Sequence, residues 1–232
     1  MESMGKTRGS ASRWRRPRSG RSFKSAGINR APRWGGPSWA KFLRSQAQGI
    51  LALGFFTAGL LTGTKVYVLA VIAHGTRRIR IRGATEHPVQ SWVVQEARNL
   101  LMDLEDAGTR AKFVLYDRDA SFTSTFDSVF QAYGHQGYPL CGPGAADDSV
   151  LERWIGSCRR ELLDRTLALN QRHLMIVLRE YEDFCNGHRP HRTLNQAAPL
   201  RPLPDGVIDL DKSRVQRRDR AAGVIHEYRL VA

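Results

Sequence analysis

From Gly49 to Thr64 the chain carries no charged residue, and after Lys65 the run Val66 to Ala73 is apolar again. Apolar surface on this scale must leave water, so the segment belongs either in a bilayer or at the centre of a core. The bilayer reading draws on the basic residues upstream and on Ile50-Leu51-Ala52-Leu53-Gly54-Phe55-Phe56, which together look like a signal peptide or anchor. A span takes roughly 20 apolar residues. This run is shorter, is broken by Gly54, Gly59 and Gly63, and starts late for a signal. Two strands joined at Leu61-Thr62-Gly63-Thr64 fit better, the second running from Val66 to Ala73, where unbroken apolar and β-branched residues suit a strand covered on both faces. A third strand is expected at Arg77 to Arg82, where Ile alternates with Arg as an edge strand with one wet face requires. Three strands in succession make an antiparallel meander.

Downstream the periodicity changes. From His87 to Ala107, Trp92, Val93, Ala97, Leu100, Leu101 and Leu104 recur at helical spacing, so one face packs on the sheet. Lys112 to Tyr116 reads as a short buried strand that delivers Asp117 to its carboxyl end. A helix at Ser124 to Tyr133, a strand at Tyr138 to Cys141, a loop at 142–146 and two helices at about 148–168 and 171–186 follow. The order βββαβαβα is that of RNase H-like domains: an α/β class with a mixed five-stranded sheet and helices on both faces. The expected organisation is a disordered basic arm over 1–37, a core over 38–200 and a basic C-terminal tail with a short strand over 201–232.

The net charge of +14 is distributed unevenly. Residues 1–46 carry twelve Lys or Arg against the single acid Glu2, while residues 47–211 are near neutral and residues 212–232 are basic again. Basic arms around a neutral centre suit a partner with repeating negative charge, and nucleic acid is the commonest such partner. The plainer reading is that the arms keep the chain soluble. Trp14, Trp34 and Trp39 lie among these bases and could stack on nucleobases, although an isolated tail aromatic commonly does nothing specific. Cys141, Cys158 and Cys185 form neither a disulfide framework nor a Cys-x-x-Cys zinc pair, so a reducing, cytoplasmic setting is expected.

Metal-dependent phosphoryl transfer needs carboxylates that converge from strand ends and a nearby helix. Asp117 follows a strand, and Glu152 stands on the first turn of a helix. Each has a structural alternative: Asp117 can cap a turn, and Ser149-Val150-Leu151-Glu152 is a capping box. In combination they resemble the second and third acidic residues of the integrase-type (DDE) transposases of bacterial insertion sequences. Glu152-Arg153-Trp154 leading to Cys158-Arg159-Arg160-Glu161 looks like that family's last active-site helix. Tyr181 through Asn186, then His188-Arg189-Pro190-His191-Arg192-Thr193-Leu194, look like its closing signature, and Tyr67 to Ile72 and Arg77-Arg78-Ile79 like its second and third strands. The resemblance implies Asp117 and Glu152 as catalytic metal ligands for Mg²⁺ or Mn²⁺, and DNA contacts at Arg153, Arg159, Arg160, Arg189 and His191. It also implies assembly as a homo-oligomer or with an intact transposase. His188 and His191 could suggest zinc, but two histidines without a cysteine motif do not make a zinc site.

The chain departs from that pattern at one decisive place. The family's first aspartate precedes an aromatic pair on the first strand, and Leu53-Gly54-Phe55-Phe56 aligns Gly54 with it. No register slip restores a carboxylate, because the chain has neither Asp nor Glu between Glu2 and Glu86. Asp119 lies too close to Asp117 to replace it. Ala120, and Ala145-Ala146-Asp147-Asp148 before the glutamate helix, also depart from the family, the latter adding negative charge where phosphate should lie. The helix-turn-helix region expected upstream is not recognisable, so an N-terminal truncation is expected. Three readings stay open: an integrase-core transposase relative that has lost activity, a non-enzymatic DNA-binding or regulatory remnant, and a membrane-anchored basic protein.

Overall fold

The structure is a computed structural model that describes residues 39–109, 111–116, 122, 124–134, 136–139, 149–203 and 213–231. The expected arm over 1–37, the loop over 142–146 and Asp117 lie outside the described residues. The charge-free run forms β1 (Ile50–Gly59), which turns through Gly63 at φ +82 into β2 (Lys65–Ala73) and then β3 (Ile79–Thr85). A residue with a Cβ would be strained at that φ, which is why the turn carries glycine. Helix α1 (Trp39–Gln46) precedes β1, and its Phe42 ring meets Phe113 edge-on at 5.2 Å. Helix α2 (Gln90–Asp106) buries Val93, Ala97, Leu100, Leu101 and Leu104, as the spacing predicts. Then come β4 (Phe113–Tyr116), α3 (Ser124–Ala132), β5 (Gln136–Pro139), α4 (Ser149–Glu161) and α5 (Gln171–Gly187).

The five strands form one mixed sheet in the order β3-β2-β1-β4-β5, antiparallel through the meander and parallel from β1 to β5. Its central position explains the composition of β1. Ala52 and Phe56 face a core shared with Leu151, Trp154 and Ile155 of α4 and Leu178 and Tyr181 of α5; Leu51 and Leu53 face a second core with α2 and α3. A strand buried on both faces has no solvent side on which to carry charge. The expected α/β fold with helices on both faces is therefore present. Among the described residues, no helix is long and apolar enough to cross a membrane.

Several boundaries differ from those expected. Helix α4 ends at Glu161 and gives way to a 3-10 turn at Leu163–Arg165. Ala168 then bridges Leu60, and its carbonyl accepts from Leu61 N at 2.7 Å, so the sheet takes the backbone that the expected helix to 168 would have used. β5 starts at Gln136, because its parallel register sets Tyr138 beside Leu115. β3 is an edge strand, but its outer edge is covered. Ile79 N donates to Asn186 Oδ1 and Asn186 Nδ2 donates to the Ile79 carbonyl, both at 2.9 Å; Ile81 N donates to Glu182 Oε2 at 3.0 Å. Side chains of α5 thus satisfy backbone groups that an open edge would expose. Where a tail with one short strand is expected, the chain forms a hairpin of β6 (Arg214–Arg220) and β7 (Ile225–Val231), and Ala221 and Ile225 join the core. The Arg-rich β6 has no apolar alternation that would announce it.

Candidate functional site

Gly54 lies in the centre of the sheet, opposite Ala70 of β2. On its other side the parallel register runs from Ile50↔Phe113 to Leu53↔Tyr116, and the residues next in sequence are Gly54 and Asp117. A Cβ built on Gly54 would stand 2.9 Å from Leu151 Cδ2. Leu151 is itself only 2% exposed, so a leucine methyl fills the place a side chain at 54 would need. Leu151, Trp154, Ile155 and Cys158 form the buried face of α4. Glu152, next to Leu151 in the first turn, points off that face and is exposed. A carboxylate there complements the partial positive charge of the helix start. Mg²⁺ and Mn²⁺ require convergent oxygen ligands. Among the described residues, which do not include Asp117, a side chain at position 54 would meet the Leu151 methyl, and no group of three metal-ligating side chains gathers.

Of the five residues with expected DNA contacts, three come together. Arg153, Arg189 and His191 line a cleft of about 350 Å³ between α4, the β2–β3 turn and the segment after α5, together with Arg77, Arg192 and Thr193. Arg159 is half-buried on α4, while Arg160 is exposed and donates to Ser157 Oγ at 3.4 Å; neither lines the cleft. His188 and His191 part company. His188 Nε2 lies 3.2 Å from Glu227 Oε1 of the hairpin, whereas His191 faces the cleft.

Arg189 has a structural task as well. Its guanidinium makes a two-pronged contact with Glu161, with Nη2 to Oε1 at 2.7 Å, and Tyr181 Oη donates to Glu161 Oε2 at 2.9 Å. Burial alone would push the Glu161 carboxyl up. The hydrogen bonds from Arg189 and Tyr181 outweigh it and hold the group below the usual carboxylate range. At the thiols burial wins: Cys158 is pushed well up, and Cys185 to about 11 despite hydrogen bonds from Trp154 and Tyr181 and the nearby Arg189. Both are free and buried.

No family model matches the sequence, and no curated protein matches it. Solved structures do match the fold. The chain superposes on the simian T-cell lymphotropic virus intasome in complex with the PP2A regulatory subunit B56 gamma with a TM-score of 0.51, at 12% identity over 80% of this chain and 67% of that one. The likeness is one of fold. The HTLV-2 integrase catalytic core domain in complex with magnesium, in its trimeric form, matches with a TM-score of 0.43, at 12% identity over 60% of this chain and 86% of that one.

Within this integrase-like fold, the closing Tyr-Asn and Arg-Pro-His segments have visible work as supports. Tyr181 and Arg189 clamp Glu161 of α4, and Asn186 seals the β3 edge. Sequence reasoning missed Arg77 as a cleft residue, reading it as the start of β3. The only local signal was the preceding Gly75-Thr76, which marks a turn but not the direction of the arginine that follows.

Proposed function

We propose that the chain is a degenerate relative of the integrase-type transposases of insertion sequences, one that binds DNA but no longer cuts or joins it. The ancestral site would have held Mg²⁺ or Mn²⁺ between an aspartate at position 54, Asp117 and Glu152. The observation that carries the reading is the occupation of the space at position 54 by Leu151, in a chain with no carboxylate on its first three strands. A glycine alone would leave a gap; a leucine methyl sits in that gap, puts hydrocarbon where two cations would need oxygen, and would have to turn aside to admit a ligand. What persists is DNA binding by the basic segments at either end, in the cytoplasm, as a homo-oligomer or alongside an intact transposase for which the chain would compete.

The experiment is a plasmid nicking and strand-joining assay in Mg²⁺ and in Mn²⁺. It compares the unaltered chain, Gly54→Asp, and Gly54→Asp combined with Leu151→Ala, which clears the methyl. The unaltered chain is expected to be inactive and the double variant to gain cleavage that Glu152→Ala abolishes. Nicking by the unaltered chain that vanishes with Glu152→Ala would overturn the reading. DNA affinity is measured alongside, and it should fall steeply with salt and show no sequence preference. No affinity at low salt would sink the binding half.

A further inference from the structure

Among the described residues, the cleft between α4 and the β2–β3 turn is lined by arginines and by no carboxylate. Arg77, Arg153 and Arg192 line it and form no ion pair among the described residues. The neighbouring carboxylate, Glu161, is already engaged on both oxygens by Arg189 and Tyr181. Arg77 Nη1 and His191 Nε2 are buried and find no hydrogen-bond partner among the described residues. Such groups are costly unless something arrives to accept from them.

The cleft is also held in shape. Arg77 adopts φ +62, unusual for a residue with a side chain. Its backbone N–H donates to the Ala73 carbonyl at 2.8 Å, and its Nε donates to Thr193 Oγ1 at 3.2 Å. A non-glycine residue kept in this region by two hydrogen bonds marks a place where geometry has been favoured over ease. Burial, and then the nearby Arg153, lower the pKa of Arg77, so the two cations feel one another across the cleft. His191 is lowered by burial, then by Arg189 and Arg77. Convergent guanidiniums, a hydroxyl and an imidazole nitrogen around a pocket of this size match an oxyanion with several acceptor oxygens.

We infer that this cleft binds a phosphate group, with Arg77, Arg153 and Arg192 as its cations and His191 and Thr193 as hydrogen-bonding partners. The inference goes beyond the reading of Gly54, since it needs neither a metal ion nor strand cleavage. The phosphate can come from a DNA backbone or from a terminal or free phosphate, and both present the same oxygens.

The test titrates the full-length, ¹⁵N-labelled chain with inorganic phosphate at constant ionic strength and follows the His191 ring signals. A saturable shift is expected. Arg153→Gln and Arg192→Gln, both at exposed positions, should each weaken binding by about tenfold, while Arg218→Gln on hairpin strand β6, which does not line the cleft, changes it less than about twofold. Displacement of phosphate by a duplex without terminal phosphates would name the DNA backbone as the source; displacement only by a 5′-phosphorylated nucleotide would name a terminal phosphate, and by neither a free ion. All three support the assignment. Absence of a saturable His191 shift, or equal weakening by Arg218→Gln, overturns it.

Discussion

Gly54 shows how the space above a glycine in a central strand is taken up by its surroundings. In the middle of a strand, glycine gives up backbone entropy on folding and offers nothing to pack, so the neighbour across the layer closes over it. Leu151 Cδ2 does so. The expectation is therefore that Gly54→Ala, which normally stabilises a strand residue, destabilises this protein by about 1 kcal/mol through overpacking. In a Leu151→Ala background the same substitution should cost nothing or stabilise, because the methyl it meets is gone. Urea denaturation of the four proteins gives the coupling between the two sites. Additive effects would mean that Leu151 does not occupy the space above Gly54.

At the scale of the element, the notable partnership is between α5 and the β3 edge. A sheet edge offers unpaired N–H and C=O groups, and those of Ile79 and Ile81 are met by Asn186 and Glu182. Gln171 Nε2 adds a third contact to the Ala84 carbonyl at 2.7 Å. Asn186 is the critical member because its amide donates and accepts at one residue, and it is 5% exposed. Asn186→Ala should leave both backbone groups of Ile79 unsatisfied and cost about 2 to 4 kcal/mol. Amide exchange at Ile79 should accelerate more than at Val71, which the sheet itself holds. A uniform acceleration of both would indicate global loosening and refute a local edge seal. The contribution of α5 is invisible to periodicity alone, since Asn186 reads along the chain as an ordinary polar residue near a helix end.

At the scale of the whole described fold, two carboxylates tie distant elements together, Glu227 buried and Glu161 half-buried. Glu161 joins α4 to the segment after α5 through Arg189, and Glu227, whose side chain is fully buried, joins the hairpin to that segment through His188 while also receiving Arg220 and Arg229. Burial pushes the Glu227 carboxyl up, but its arginine partners outweigh this and hold it low, as at Glu161. Both carboxyls are depressed on folding. Their contribution is therefore fully present above the ordinary carboxylate range and is lost as pH falls through the depressed folded values. Glu161→Gln should be less stable than the unaltered chain at neutral pH, with the difference closing on acidification. A stability difference that persists unchanged into acid would show that the charge of Glu161 plays no part.

Much of this architecture was legible in the sequence because its signals are local. The charge-free run over Gly49–Thr64 and the apolar run over Val66–Ala73 imply strands buried on both faces, and α2 declares its core face through helical spacing. The lack of any acid between Glu2 and Glu86 excludes a carboxylate from the first three strands under every register. Only the tertiary structure decided what fills the space above Gly54, which arginine is clamped to Glu161 and which line the cleft, and how a basic tail becomes a docked hairpin. Those outcomes depend on pairs of residues far apart in the chain, and the meeting of two distant side chains leaves no trace in the spacing around either one.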